Sequence, residues 1–217
     1  MPALLTWWKL DVGRLAPHAH SDAVEAVGLD LLRRLEEPHR SYHTARHVVE
    51  MSSAIEELER EGVVTDREAA LAGVAACFHD AVYDPGAQPG ANEADSAELA
   101  TRALTSLGLD ADDVAMVRRL VLATELHEAP PDDGLDAAFH DADLWILAAP
   151  EDRFDEYCAQ VREEYAAVPD DAFAAGRRAV LEPFLRRDTV YATRHGRRTW
   201  GERARLNVAR ELTRLGG

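Results

Sequence analysis

The chain predicts a single all-α domain, a helical bundle, on three observations. Apolar residues recur at helical rather than alternating spacing, and helix start and stop signals bracket those stretches. One segment, Ala69 to Phe78, is apolar on every side, as a helix at the centre of a bundle is. With 217 residues, 47% of them hydrophobic, the chain can bury one sizeable core.

The elements follow in order. From the segment Tyr42-His43-Thr44-Ala45-Arg46-His47 onward, His47, Met51, Ala54, Ile55 and Leu58 share one helix face, so His47 points along the apolar stripe. His43, four residues earlier, is expected to stack on the same face. Thr65-Asp66-Arg67-Glu68 reads as a capping box that opens the all-apolar helix. His79 and Asp80 stand at its far end, and Asp84-Pro85-Gly86 breaks the chain soon after. Asn92 is expected to cap a helix through Ala97, Ala100, Leu104 and Leu107, with Gly108 as its stop. Asp110 is expected to cap another, carrying Val114, Val117, Val121 and Thr124 towards His127. Glu128 to Gly134, with Pro130-Pro131, reads as a loop. Helices are expected around 136–148, 151–167, 170–187 and 200–215, and Thr189 to Thr193 is too short an extended segment to suggest a sheet. With no internal repeat or linker, residues 1–217 read as one domain.

Composition narrows the function. A net charge of −16 argues against a nucleic-acid polymer or an anionic membrane surface as partner, since both need a basic face. The longest apolar run is too short to span a bilayer, and the start of the chain does not read as a signal peptide. Cys77 and Cys158 imply neither a disulfide framework nor a cysteine-rich zinc site. A cytoplasmic protein acting on a small molecule is the expectation.

Three segments carry chemistry: Tyr42 to His47, Phe78-His79-Asp80, and Asp141-Ala142-Asp143-Leu144. Each sets imidazole or carboxylate groups on or beside a strongly apolar stretch, where lost hydration must be compensated. A divalent cation held by two histidines and two aspartates would compensate, and would bring hydrolytic chemistry. The competing readings are a His79–Asp80 hydrogen bond without metal and an arginine partner for Asp143.

A His, a later His-Asp doublet and a still later Asp on an all-helical chain resemble the HD-domain superfamily of metal-dependent phosphohydrolases. More narrowly, the chain is similar to the small bacterial family of predicted metal-dependent HD phosphohydrolases. The match runs in order through Arg40-Ser41-Tyr42-His43 to His47, Phe78 to Asp84, Asn92-Glu93 with Ser96-Ala97, and Ala123-Thr124 with His127. It continues through Asp141 to Leu144 and Glu202 to Asn207. The resemblance implies that His47, His79, Asp80 and Asp143 ligate one divalent cation. It prefers Asp143 to Asp141 because the family's last ligand follows an alanine and precedes the apolar helix. Cyclic-nucleotide phosphodiesterases, distant relatives, keep a general acid where His43 stands, which implies His43 and Asp80 as the catalytic pair.

Departures from the wider superfamily matter as well. A second metal would need His127 with Glu93 or water, because His140 lies beside Asp141 just before the last ligand. The glycine-tyrosine-proline signature of cyclic-di-GMP phosphodiesterases is absent, as is the ligand set of di-iron HD oxygenases. Arg40 and Arg46 are candidates for a substrate phosphate, with Arg118 a weaker one; each reads equally as an ion-pair partner for the abundant acids. Glu202, Arg205 and Asn207 are read as ties for the last helix, and Tyr42, Phe78, Tyr83 and Trp145 as core or pocket wall. His18, His20, His39 and His195 carry no pattern and are read as surface residues.

The expectation is therefore a phosphohydrolase that cleaves a phosphate ester of a nucleotide or related small molecule with metal-activated water. The cofactor is one divalent ion, Mn, Fe, Co, Zn or Mg. The alternatives are a metal- or nucleotide-binding sensor without turnover and an iron oxygenase on the same fold.

Overall fold

Ala69 to Phe78 is buried throughout, and the helix that contains it, α4 (Asp66–Phe78), forms the axis of the structure. Thr65 and Glu68 close the expected capping box at its start. The computed structural model describes residues 3–128, 130 and 133–216, and every regular element among the described residues is helical. Around α4 stand α1 (Ala3–Leu15), α3 (Ala45–Arg60), α5 (Ala91–Ser106), α6 (Ala111–Ala123) and α7 (Leu135–Asp143). The five alanines and Gly73 keep much of the α4 surface small, so its neighbours pack closely against it. A second group packs against this one: a 3-10 turn (Leu144–Ala148), α8 (Glu151–Glu164), α9 (Asp170–Arg186), α10 (Arg194–Thr199) and α11 (Gly201–Gly216). One hydrophobic cluster runs through both groups, from Leu4 to Val208.

Several boundaries differ from the sequence reading. α3 begins at Ala45 with Thr44 as its cap, so His43 lies in the turn before the helix and not one turn along it. Asn92 does not cap α5; Gly90, at φ +77°, holds that position. The Asn92 side chain instead accepts from the Asp84 N–H and donates to the Asp84 carbonyl. Gly108 stops α5 as expected, at φ +80°. Asp110 stands at the cap of α6 without making a capping bond. The helix read over 136–148 tightens into the 3-10 turn after Asp143, and α8 ends at Glu164. Of the loop at Glu128 to Gly134, Ala129, Pro131 and Asp132 lie outside the described residues.

Thr189 to Thr193 forms no strand, because its amides bond to a side chain instead. Asp141 accepts from the N–H groups of Ala192 and Thr193. At the other end of the chain, α1 and α2 (Ser21–Leu35) lie outside the helices read from the pattern. α1 sets Trp8 edge-on against Phe78, with centroids 5.7 Å apart, and the Trp8 indole donates to the Val24 carbonyl at 2.7 Å.

The close approach of α1 to α2 depends on Gly28. A Cβ there would sit 2.5 Å from a ring carbon of Trp8, a fully buried side chain fixed by its own hydrogen bond. Gly28→Val should therefore lower stability by about 1–3 kcal/mol through overpacking. Urea unfolding at neutral pH measures it, and unchanged stability would show that the two helices can separate freely.

Candidate metal centre

Three helix ends or faces meet at one point. α3 presents His47 from its first turn, α4 is followed directly by its C-cap His79 and by Asp80, and α7 ends in Asp143. His47, His79 and Asp80 each bring one ligand atom within 4.8 Å of the others, a group that can hold a metal ion. His79 Nε2 is 2.8 Å from Asp80 Oδ2, and His47 Nε2 is 3.2 Å from Asp143 Oδ1. Asp143 Oδ1 also lies 3.6 Å from His79 Nε2. Among the predicted ligands, Asp143 thus reaches both histidines and Asp141 does not take its place.

The donor set fits a divalent cation. His79 Nδ1 donates to the Ala76 carbonyl at 2.9 Å, which leaves Nε2 turned to the centre. His47 Nδ1 is 3.0 Å from the Tyr42 hydroxyl, fixing the second ring in the same sense. The two Nε2 atoms then face each other at 3.2 Å, where two lone pairs repel unless a proton or a metal ion lies between them.

The electrostatics follow from that crowding. Burial disfavours a charged His79, but the Asp80 and Asp143 carboxylates outweigh it and push the imidazole up to about 9. Burial alone would raise both carboxyls. The charge of His79 holds Asp80 well below the usual carboxylate range, and the hydrogen bond from His47 does the same for Asp143. His127 shifts downward because it is buried, against the pull of Asp143. Its Nδ1 is 3.5 Å from Asp143 Oδ2, and its backbone adopts φ +45°, a left-handed conformation few residues with a side chain adopt.

His43 faces the same centre from the turn before α3. Its Nδ1 lies 2.6 Å from Glu164 Oε2. Burial would raise Glu164, but the hydrogen bond and charge of His43 hold it at about 2. The ionised carboxylate can only accept, so Nδ1 carries the proton and Nε2 is the free nitrogen. Glu164 also accepts from the N–H groups of Ser41, Tyr42 and His43 and from the Tyr83 hydroxyl. No sequence pattern singled out Glu164: it is one of 40 acidic residues, 121 positions from His43 and 81 from Tyr83.

A cleft of about 280 Å³ opens over these groups, lined by His43, His47, His79, Asp80, Asp143, Glu93 and His127. Glu93 reaches it from the first turn of α5. Neither Arg40 nor Arg46 does, a correction to the sequence reading. The Arg40 side chain is fully buried and spent on the carbonyls of His43, Asp80 and Ala81 and on Glu37. Arg46 is exposed and pairs with Glu156 and Glu50. The arginine that lines the cleft is Arg177 of α9, which carried no motif; Arg118 is exposed and outside the cleft.

Other histidines and ties are settled by their partners. His195 is buried against Glu57 at 2.6 Å, contrary to its reading as a surface residue. His140 bonds Asp141 at 2.9 Å. Asn207 donates to the carbonyls of Leu147 and Ala149, and Arg205 to those of Arg187 and Leu185, so both tie α11 down as expected. Glu202 is exposed. No helix among the described residues is long and apolar enough to cross a membrane. Comparison with family models, with curated proteins and with solved structures finds no match to this chain.

The two aspartates of α7 should behave differently on amidation. Asp143→Asn should weaken divalent-metal binding by at least about 10–100-fold, the scale for losing even an outer partner of a metal site. Asp141→Asn should keep the metal but lose roughly 1–3 kcal/mol of stability, because its amide would face backbone donors. Elemental analysis with urea unfolding separates them, and the reverse pattern would move the ligand to Asp141.

Glu164 should control the acid limb of stability. Its folded value of about 2 lies below its ordinary 4.5, so its contribution is complete above pH 4.5 and lost as pH falls towards 2. Glu164→Gln should cost about 1.5–3 kcal/mol at neutral pH and flatten the stability profile between those limits. Denaturant midpoints measured across that pH range would show it; parallel profiles for the two proteins would contradict it.

Proposed function

We propose that the chain is a metal-dependent phosphohydrolase of the HD type, acting on a phosphate ester of a nucleotide or similar small molecule. One observation carries the reading: His47, His79 and Asp80 converge with Asp143, and His43 turns a free nitrogen into the same cleft. His47, His79, Asp80 and Asp143 would hold the ion, which when bound supplies Lewis-acid polarisation of a phosphoryl oxygen and a water that ionises near neutral pH. Mixed imidazole and carboxylate donors suit Mn, Fe, Co or Zn, with Mg as the harder alternative.

The chain's own residues then divide the work. Tyr42 and the Ala76 carbonyl fix the two imidazole rings, so no reorganisation is needed as charge develops. Asp80, whose side chain is one-fifth exposed, orients the attacking water as well as binding the ion. In its imidazolium form, with Nδ1–H held by Glu164, His43 delivers the Nε2 proton to the leaving alkoxide and returns to the neutral ring. Glu164, anionic and behind it, stabilises the imidazolium and holds the ring in place. The cytoplasm is the compartment this reading implies, with two unpaired cysteines, Cys77 and Cys158.

A screen of metal-reconstituted protein against nucleoside mono-, di- and triphosphates, cyclic nucleotides and dinucleoside polyphosphates tests the reading. Phosphate or nucleotide release that Asp80→Ala abolishes is expected. Binding without release would instead identify a sensor, and oxygen consumption without release an oxygenase. Within an active series, His43→Ala should retain metal and fold and lose roughly 10²–10⁴ in turnover on alkyl esters. The loss should shrink on aryl phosphates, whose leaving group departs without a proton; equal losses on both would remove the acid role.

A further inference from the structure

We propose that Arg177 forms a second anion subsite in the cleft, so that the substrate is a small organic phosphate with another anionic group across an apolar body. The inference rests on the phosphohydrolase reading for the end that meets His47, His79 and Asp80, and on Arg177 for the other.

Arg177 lines the cleft from α9, and its Nη2 is sealed from solvent with no hydrogen-bond partner among the described residues. The other arginines around the site are satisfied: Arg40 by backbone carbonyls, Arg46 by Glu156, Arg153 by Glu50. A guanidinium nitrogen deprived of both water and partner is costly to keep, because its desolvation is uncompensated. The bland alternative is a structural role through Tyr157 and Glu211. The guanidinium carbon does sit 4.8 Å from the Tyr157 ring centroid, and the Tyr157 hydroxyl is one hydrogen-bond partner, yet Nη2 is left without any. The Glu211 carboxylate lies 3.7 Å from Arg214.

The surroundings define what would complete it. Leu181 and Phe184 of α9 and Val161 of α8 wall this part of the cleft. An apolar wall lowers the local dielectric and strengthens a guanidinium–anion pair. Tyr42 and Tyr157, with ring centroids 4.5 Å apart, stand between Arg177 and His47. The group that meets Arg177 is therefore not the phosphate held at His47, but a second anion beyond a flat, apolar spacer. At about 280 Å³ the cleft suits one such molecule and not a dinucleotide. A carboxylate and a second phosphate share this chemistry, since both take bidentate hydrogen bonds from arginine.

The test is calorimetric titration of the Mn²⁺-loaded full chain with three non-hydrolysable probes: phenylphosphonate, 4-carboxyphenylphosphonate and 1,4-phenylenebisphosphonate. At least one two-anion probe should bind about tenfold more tightly than phenylphosphonate, the scale of one charge-assisted pair. Whichever is tighter identifies the second group. Arg177→Gln should abolish that advantage with the melting temperature and metal content held, and Arg177→Lys should restore part of it. Equal affinity of the three probes for the unaltered chain would overturn the proposal. So would an equal loss for all three in Arg177→Gln, or a lowered melting temperature with the probe preference intact. Asp80→Ala should weaken all three probes through their shared phosphonate. Arg177-dependent discrimination that persists without any effect of Asp80→Ala, and without ester hydrolysis, would end the phosphohydrolase reading and leave the subsite standing.

Discussion

A helix with no polar face is stable only where other elements enclose it, and α4 imposes that condition on its neighbours. Its alanines, Gly73, Val74 and Phe78 have no side exposed to water, so α1, α3, α5, α6 and α7 must surround it. The close ring of neighbours brings His47 of α3 and Asp143 of α7 to the end of α4, where His79 and Asp80 emerge. Packing of small apolar residues thereby determines where charged groups meet. The site does not need long side chains to reach across a gap.

Acidic side chains buried near the centre fall into distinct roles by what they accept. Asp80 and Asp143 face imidazole nitrogens and remain anionic through them. Asp141, two residues from Asp143, points the other way and secures the segment before α10 through Ala192 and Thr193. Glu164 secures the turn that carries His43. A half-turn on one helix therefore separates a side chain that can touch a ligand from one that joins two parts of the chain. The net charge of −16 is no guide to the cleft, where imidazoles and Arg177 offset the carboxylates.

The all-helical architecture and much of the site were legible because they rest on local signals. The capping box at Thr65, the period through His47 to Leu58 and the placement of His79-Asp80 after an all-apolar run are each read within a few residues. α1 carried the same kind of signal in Leu4, Trp8, Val12 and Leu15, but it bears no chemistry to draw attention to it. α2 was harder, since Gly28 occupies the stripe of Val24, Leu31 and Leu35 where a bulky residue is expected. Thr44, as the cap of α3, moved His43 off the helix; spacing alone does not distinguish one turn inside a helix from one turn before it. Glu164 and Arg177 were illegible for a different reason. Their roles depend on how α8 and α9 lie over the first half of the chain, and a long-range juxtaposition leaves no period in the sequence.

Arg40, which serves the backbone instead of a ligand, has a mechanical consequence. Nη1 of its guanidinium donates to both the His43 carbonyl and the Asp80 carbonyl, and Nη2 donates to the Ala81 carbonyl. The turn that carries the free imidazole and the corner that carries the carboxylate are thus clamped to a single rigid fork. A fluctuation that lifts residues 37–44 must break this fork, and it displaces His43 relative to Asp80 as it does so. The alignment of these two groups is accordingly set by the opening free energy of a short surface segment, and it can be lost while the helical core around α4 remains folded.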